Sequence, residues 1–166
     1  ALGFDRDVAA YMLGGRVGTT LDRLGLTLWY DYLSGDDDPG DATIRVFDTL
    51  FATNHKFYGY MDFFLNIPVD TNQRGLQDLA LKAAYALADG HTLAADLHAF
   101  MLADDTGYDS GRIGEELDLT YRWAYTAGVS VTGGLSYFLA AADAPTGLGS
   151  PTDNQVWGYL MLDVVF

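Results

Sequence analysis

The chain has 166 residues, of which 49% are hydrophobic and 14% aromatic, and its 9 basic and 23 acidic side chains give a formal charge of −14. This composition excludes a disordered chain, which is poor in apolar residues, and a phosphate-binding nucleic-acid protein, which needs a basic surface. The absence of cysteine excludes disulfides and thiolate metal sites, and no apolar run approaches the roughly 20 residues of a membrane-spanning helix.

The first half of the chain contains two segments in which apolar and polar or small side chains alternate, over residues 8–18 and, more clearly, 24–34. A period of two is typical of a β-strand that presents different faces to two environments. Residues 35–75 are predicted to form a long loop, called the long loop below. Within it, Lys56–Leu65 also alternates and is the alternative candidate for a further strand.

The second half contains five further alternating segments, so the sequence predicts about seven strands in all. The alanines of the first two segments favour a helix by propensity, but Asp78 and Lys82 alternate with leucines, and Asp89-Gly90 is a typical hairpin turn. The last segment alternates most clearly and ends at Phe166. The five predicted strands cover residues 76–88, 92–103, 113–125, 128–141 and 154–166.

The connections alternate between short turns near residues 20–23, 89–90 and 126–128 and long loops at 35–75, 104–112 and 142–153. This arrangement is typical of antiparallel transmembrane β-barrels, in which the turns are periplasmic and the long loops extracellular. Aromatic residues on the apolar face gather near both strand ends, as expected for interfacial girdles. They are Tyr11, Tyr30, Tyr32 and Tyr137 near the loops, and Tyr85, Trp123, Tyr125 and Phe166 near the turns.

Strand parity bears on how much of a barrel this chain holds. Bacterial single-chain barrels normally have an even number of strands, whereas seven are predicted here. We therefore expect residues 1–166 to be a single region, the C-terminal part of a larger barrel of roughly 16–18 strands. The alternative is a complete eight-stranded barrel.

Residues 47–62 read FDTLFATNHKFYGYMD, and this block resembles the alginate-export family of outer-membrane porins. That family carries a similar F-D-x-L-F-x-T-N-H-K-x-Y-G-Y-x-D block in a long surface loop, and Ser34-Gly35-Asp36 and Gly75–Leu79 also fit its pattern. The resemblance implies a large monomeric barrel that passes small or polymeric anionic sugars by diffusion.

The charged residues on the polar strand faces depart from that family's arginine-lined lumen, because six acids face three bases. Such a lining favours cations or neutral polyols over polyuronates. Within this set, Glu116, Asp118 and Arg122 form either a selectivity ladder or a pairing network that braces the wall. The predicted channel-lining residues are Arg16, Asp31, Asp78, Lys82, Asp96, His98, Glu116, Asp118, Arg122 and Asp163.

The long loop contains two candidate sites. Its polar and aromatic residues are hypothesised to fix the loop over or into the pore as a constriction, because loops of this length are usually functional or disordered. These residues are Asp48, Asn54, His55, Lys56, Tyr58 and Asp62. The acidic turn formed by Asp36, Asp37, Asp38 and Asp41 is a calcium candidate, but it lacks the ordered ligand spacing of an EF-hand, so a solvated turn is preferred.

Catalysis and cofactors are not expected. Asp96 and His98 share a face and could orient each other, but no serine stands in a G-x-S-x-G context. We therefore expect a passive, monomeric porin-like channel for small hydrophilic solutes or sugars in the outer membrane of a Gram-negative-type bacterium. The expected partners are the lipid bilayer, lipopolysaccharide and, through Phe166, the barrel-assembly machinery, with no nucleic acid. The alternatives are a soluble all-β ligand-binding barrel and a membrane-embedded enzyme or adhesion barrel.

Overall fold

A computed structural model describes residues 5–166 and contains strands joined by turns and loops. Among these residues the one helix, α1 (Ile67–Asp70), has four residues, and no helix is long and apolar enough to cross a membrane. The strands are β1 (Asp7–Val8), β2 (Met12–Leu21), β3 (Leu24–Leu33), β4 (Thr43–Ile44), β5 (Leu76–Ala88), β6 (His91–Leu102), β7 (Arg112–Thr126), β8 (Val129–Ala140) and β9 (Gln155–Val164).

Seven of these strands form one antiparallel sheet in the order β2-β3-β5-β6-β7-β8-β9. Apart from the two-residue strands β1 and β4, each strand therefore pairs with the strands that precede and follow it in the sequence. Three two-residue turns, at residues 22–23, 89–90 and 127–128, alternate with long connections. The all-β class and the seven-stranded antiparallel sheet are thus confirmed. Within residues 5–166, however, the edge strands β2 and β9 do not pair with each other, so the sheet is open.

The N-terminal strand differs from the prediction for residues 8–18. The sheet strand β2 begins only at Met12 and continues to Leu21, which leaves a turn of two residues. The preceding β1 instead pairs in parallel with β4, in the long loop, where the Ala9 N–H donates to the Ile44 carbonyl at 2.9 Å. The prediction failed here because this pairing partner lies far away in the sequence. Residues 56–65 form successive turns, not a strand.

One face of the sheet, called the outer face, is apolar across all seven strands. Residues directly opposite each other on neighbouring strands share a face, so the register places one side chain from each strand in a continuous row. Leu81 and Leu97, at the centre of this row, remain 49% and 46% exposed. The complete row is Val17, Leu28, Leu81, Leu97, Leu117, Tyr137 and Val156.

The opposite face, called the inner face, is covered by the long loop at the long-loop ends of the strands. There, Phe100 and Phe138 pack in a buried apolar cluster with Phe64 and Ile67 from the long loop. The Phe64 and Phe100 rings lie 4.7 Å apart between centroids. Burial of these side chains holds the long loop against the sheet. The cluster consists of Leu33, Tyr58, Phe64, Ile67, Leu76, Phe100, Leu102, Ile113 and Phe138.

This packing predicts that the core depends on Phe100. Replacing Phe100 by Ala should lower the free energy of unfolding by about 3–5 kcal/mol, because it leaves a cavity between the sheet and the long loop. Phe51→Ala is the matched control, since the Phe51 side chain is fully exposed in the same loop, and it should change stability by less than about 0.5 kcal/mol. Denaturant unfolding in detergent measures both changes, and equal effects would contradict this account of the core.

Candidate functional site

Below the apolar cluster, the inner face carries a belt of charged and hydroxyl side chains. The register aligns Lys82 with Asp96, Asp96 with Asp118, and Asp118 with Ser136 across four neighbouring strands. Lys82 Nζ lies 2.9 Å from Asp96 Oδ2, and the Ser136 hydroxyl donates to Asp118. Because side chains alternate between the two faces along each strand, these residues lie together on one face of the sheet, as the sequence pattern predicted.

His98 links two parts of this belt. Its Nδ1 lies 2.9 Å from the Asp78 carboxylate, and its Nε2 lies 3.2 Å from Lys82 Nζ. With Nδ1 as the donor to Asp78, Nε2 is free to accept from the lysine ammonium group. Asp78, His98, Lys82 and Asp96 thus form one connected chain of ion pairs and hydrogen bonds. This network links strands β5 and β6 and satisfies the groups that take part in it.

Glu116 and Asp118 accept hydrogen bonds from the backbone of the long loop. The Met61 N–H donates to Glu116 Oε1 at 2.9 Å, and the Tyr60 N–H donates to Asp118 Oδ2 at 3.3 Å. Gly59 adopts a φ of +82°, and a Cβ atom there would lie 2.6 Å from Glu116 Oε1. The absence of a side chain at Gly59 therefore lets the loop backbone approach the carboxylates. Among residues 5–166, the buried Glu116 Oε2 has no hydrogen-bond partner.

The ten predicted lining residues separate into two groups. Seven lie beneath or beside the long loop and are buried or half-buried: Asp31, Asp78, Lys82, Asp96, His98, Glu116 and Asp118. The other three, Arg16, Arg122 and Asp163, are exposed. The ladder of Glu116, Asp118 and Arg122 is thus divided between covered and open parts of the inner face. An apolar cluster that the sequence analysis did not predict occupies the long-loop end of this face.

The predicted constriction residues are distributed through the long loop. Asn54 is buried and its amide nitrogen donates to the carbonyls of Phe64 and Leu65, each at 3.0 Å, which closes the loop on itself. His55 Nδ1 lies 2.6 Å from Asp62 Oδ1, a hydrogen-bond contact that spacing alone did not indicate. Asp48, His55, Lys56 and Asp62 are exposed or half-buried, whereas Asn54 and Tyr58 are buried.

Two tyrosines of the long loop point toward acids of the inner face. The Tyr58 hydroxyl lies 3.4 Å from Asp31 Oδ2, and burial raises the pKa of the Tyr58 phenol. Burial together with the charge of Asp96 raises the pKa of Tyr60 to about 12. Both hydroxyl groups therefore stay protonated at neutral pH, and the Tyr58 hydroxyl donates to Asp31.

The acidic turn is organised around a cation from its own loop. Arg45 Nη1 lies 2.9 Å from Asp41 and 3.5 Å from Asp36, and Asp37 is at 4.0 Å. Hydrogen bonds from the Thr43 N–H and the Arg45 side chain lower the pKa of Asp41. No group of three or more His, Asp or Glu residues within residues 5–166 has a geometry that could hold a metal ion. Arg45 thus lies at the centre of the acidic turn that the sequence analysis considered as a calcium candidate.

Sequence reasoning missed Gly59 and Ser34. Gly59 stood within the T-N-H-K-x-Y-G-Y block, but nothing local indicated that it faces Glu116. Buried Ser34 accepts from the Tyr11 N–H at 2.9 Å and donates to the Arg45 carbonyl at 2.6 Å, so it fastens the base of the long loop to the start of β2. In both cases the sequence shows only a small residue, without an indication of its partner.

No protein-family model and no curated protein matches this chain. The arrangement of the residues therefore carries the functional argument.

The contact at Gly59 makes a testable prediction. Gly59→Ala should displace the loop backbone from Glu116 and accelerate hydrogen exchange at the Tyr60 and Met61 amides by at least ~10-fold, because two charge-assisted hydrogen bonds are lost. Gly147→Ala is the matched control, since Gly147 has a φ of +81° but open space around its Cβ position. The control should leave both amides unchanged, and equal exchange in the two variants would refute a specific role for Gly59.

Proposed function

We propose that the sheet is part of the wall of an outer-membrane β-barrel that acts as a passive channel for small hydrophilic solutes or sugars. The observation that carries this proposal is the separation of the two faces over all seven strands. One face is apolar and exposed, and the other is polar and partly covered by the chain's own loop. In water an exposed apolar surface of this extent is unfavourable, whereas in a bilayer it contacts lipid.

Strand lengths and rim residues support the same proposal. The long strands have 10–15 residues, which matches the roughly 9–11 residues that a tilted strand needs to cross the hydrocarbon region. Tyr85, Trp123 and Tyr125 are exposed toward the two-residue turns, and Tyr30 and Tyr137 toward the long loops. Amphipathic rings at both ends are suited to the two membrane interfaces. The exposed Phe166 is available for recognition by the barrel-assembly machinery.

Closure of such a barrel constrains the number of further strands that complete it. Because seven strands alternate in direction, the edge strands β2 and β9 run the same way and cannot pair antiparallel with each other. An odd number of further antiparallel strands must therefore lie between them in the closed wall. This requirement agrees with the even strand numbers of single-chain barrels.

The proposed solute class follows from the charged residues of the inner face that the long loop does not cover. The long loop covers most of the inner-face acids, so a solute passing the open part meets Arg16, Arg122 and Asp163. This mixed charge favours small hydrophilic solutes of either sign over a channel dedicated to one ion. The resemblance of residues 47–62 to the alginate-export porins supports sugars as a solute class, and the chain is proposed to act without a cofactor and as a monomer.

A soluble ligand-binding barrel is the main rival. In water, the outer face would need a second layer to cover its apolar row, and no element formed by residues 5–166 packs on it. The buried apolar cluster lies on the opposite face.

The two adjacent alanines Ala83 and Ala84 test which face contacts lipid. Ala83 lies on the outer face opposite Leu26, and Ala84 lies on the inner face opposite Gly25. In lipid vesicles, Ala83→Arg should lower the free energy of unfolding by about 2–4 kcal/mol, and the control Ala84→Arg by less than about 1 kcal/mol. Equal small effects of the two arginines would exclude membrane insertion of this face.

The long loop should narrow the bore. Deleting residues 45–62 removes the segment that lies over Glu116 and Asp118, so the single-channel conductance of the complete protein in a planar bilayer should increase. An unchanged conductance would contradict the constriction role, whereas absence of conductance in the undeleted protein would contradict the channel itself.

A further inference from the structure

A cleft of about 420 Å³ lies between the long loop and the inner face of β2 and β3. Its walls include the aromatic rings of Trp29, Phe47 and Phe57. The Trp29 and Phe57 rings meet edge to face, with 5.7 Å between their centroids. Apolar walls around a few polar groups are the usual composition of a small-molecule site. The cleft therefore has room and surface for a compact ligand with an apolar body.

The Asp31 carboxylate also lines this cleft, although the residue is only 4% exposed. Its one hydrogen bond to another described residue comes from the Tyr58 hydroxyl at 3.4 Å, a long contact. Within residues 5–166, no Lys, Arg or His nitrogen lies within 4.0 Å of it. A buried carboxylate without a cation is unfavourable, so a positively charged group at this position would be stabilised.

Asp31 differs in this respect from the neighbouring acids. Asp78, directly opposite it on β5, is paired with His98, and Asp96 is paired with Lys82. Asp118 accepts from the Ser136 hydroxyl and from the Tyr60 N–H. Among these inner-face carboxylates, Asp31 is the one that both lines an aromatic cleft and lacks a strong donor.

The carboxylate is accessible from a second side. Another cavity of about 420 Å³ shares Met12, Trp29 and Asp31 with the first and extends along β2. A Cβ atom at Gly14 would overlap Asp31 Oδ1, so the glycine leaves space for the carboxylate at this edge. The two cavities together allow a ligand to place its charged end at Asp31 and its apolar body against the rings.

We propose that this cleft binds a small organic monocation, an amine or guanidinium with an apolar or aromatic body. The Trp29 ring is already contacted by cations of the chain, with Arg16 Cζ at 5.2 Å and Lys82 Nζ at 5.8 Å from its centroid, so the attraction for a ligand cation comes from Asp31. Asp31 supplies the anionic partner that orients the ligand's charged end. The site goes beyond the proposed channel and does not depend on membrane insertion, because it lies between the loop and the sheet.

Other ligand classes fit this chemistry less well. A hard metal ion requires several oxygen ligands, whereas the second carboxylate of the cleft, Asp48, is exposed and already accepts from the Leu50 N–H. A carboxylate ligand would meet the charge of Asp31 at short range. A neutral sugar could stack on the rings, but its binding would not depend on the charge of Asp31. The dependence on ligand charge therefore separates the proposed class from the others.

A ligand series tests the proposal on the unmodified protein in detergent micelles. Phenethylamine, 2-phenylethanol and phenylacetate share one apolar body and differ in charge, and calorimetric titration with a protein-free micelle blank gives each affinity. The amine should bind at least ~10-fold more tightly than the alcohol, as expected for one charge-assisted hydrogen bond, and the acid most weakly. Equal affinity for the amine and the alcohol, or tighter binding of the acid, would overturn the proposal.

Substitution locates the site. Asp31→Asn keeps the shape of the side chain and should abolish the preference for the amine over the alcohol. Asp163→Asn is the matched control, because Asp163 is an exposed inner-face acid outside this cleft, and it should retain the preference. A preference that persists in Asp31→Asn would overturn the assignment. The ligand series on the unmodified protein decides the chemistry independently of how well either variant folds, and neither measurement requires conductance.

Discussion

The constraint on which this structure depends is the two-residue period of a hydrogen-bonded strand. Because successive side chains point to opposite faces, a register shift of one residue would move every apolar side chain to the polar face. Here three two-residue turns fix the register of three of the six strand pairs, and the alternation of apolar and polar residues is consistent across all seven strands. The result is a sheet with an apolar outer face and an inner face that collects the charged side chains of strands distant in the sequence.

The inner face shows how the chain accommodates so many acids in one place. Charges withdrawn from water need partners, and here most of them obtain partners from three sources. Neighbouring strands supply Lys82 and His98, the long loop supplies backbone N–H groups at Tyr60 and Met61, and hydroxyl groups supply the remainder. The loop is held at one end by apolar burial around Phe64 and at the belt by hydrogen bonds. Its position therefore depends on both kinds of interaction.

Local periodicity was sufficient to predict the seven strands and the shared face of the ten charged or histidine residues that it singled out, even for the alanine-rich β5 and β6. It was insufficient where the deciding contact is distant in sequence. The start of β2 was misplaced because Asp7–Val8 pairs with Thr43–Ile44, and the apolar cluster was missed because Phe64 and Ile67 come from a loop without periodicity. The contact between Met61 and Glu116 spans 55 positions, so no local pattern could indicate it.

These contacts change the interpretation of the net charge of the inner face. Six acids against three bases suggested a cation-selective lining, but an acid influences a passing solute only if its charge is both exposed and uncompensated. Most of the acids have partners within the sheet or lie beneath the long loop, so their charge acts on the loop and on their neighbours. Asp31 is different, because it borders open space beside aromatic rings and has only one long hydrogen bond. For the proposed channel, chemical selectivity is therefore predicted to depend on that one carboxylate and on the exposed arginines, more than on the net charge of the sequence.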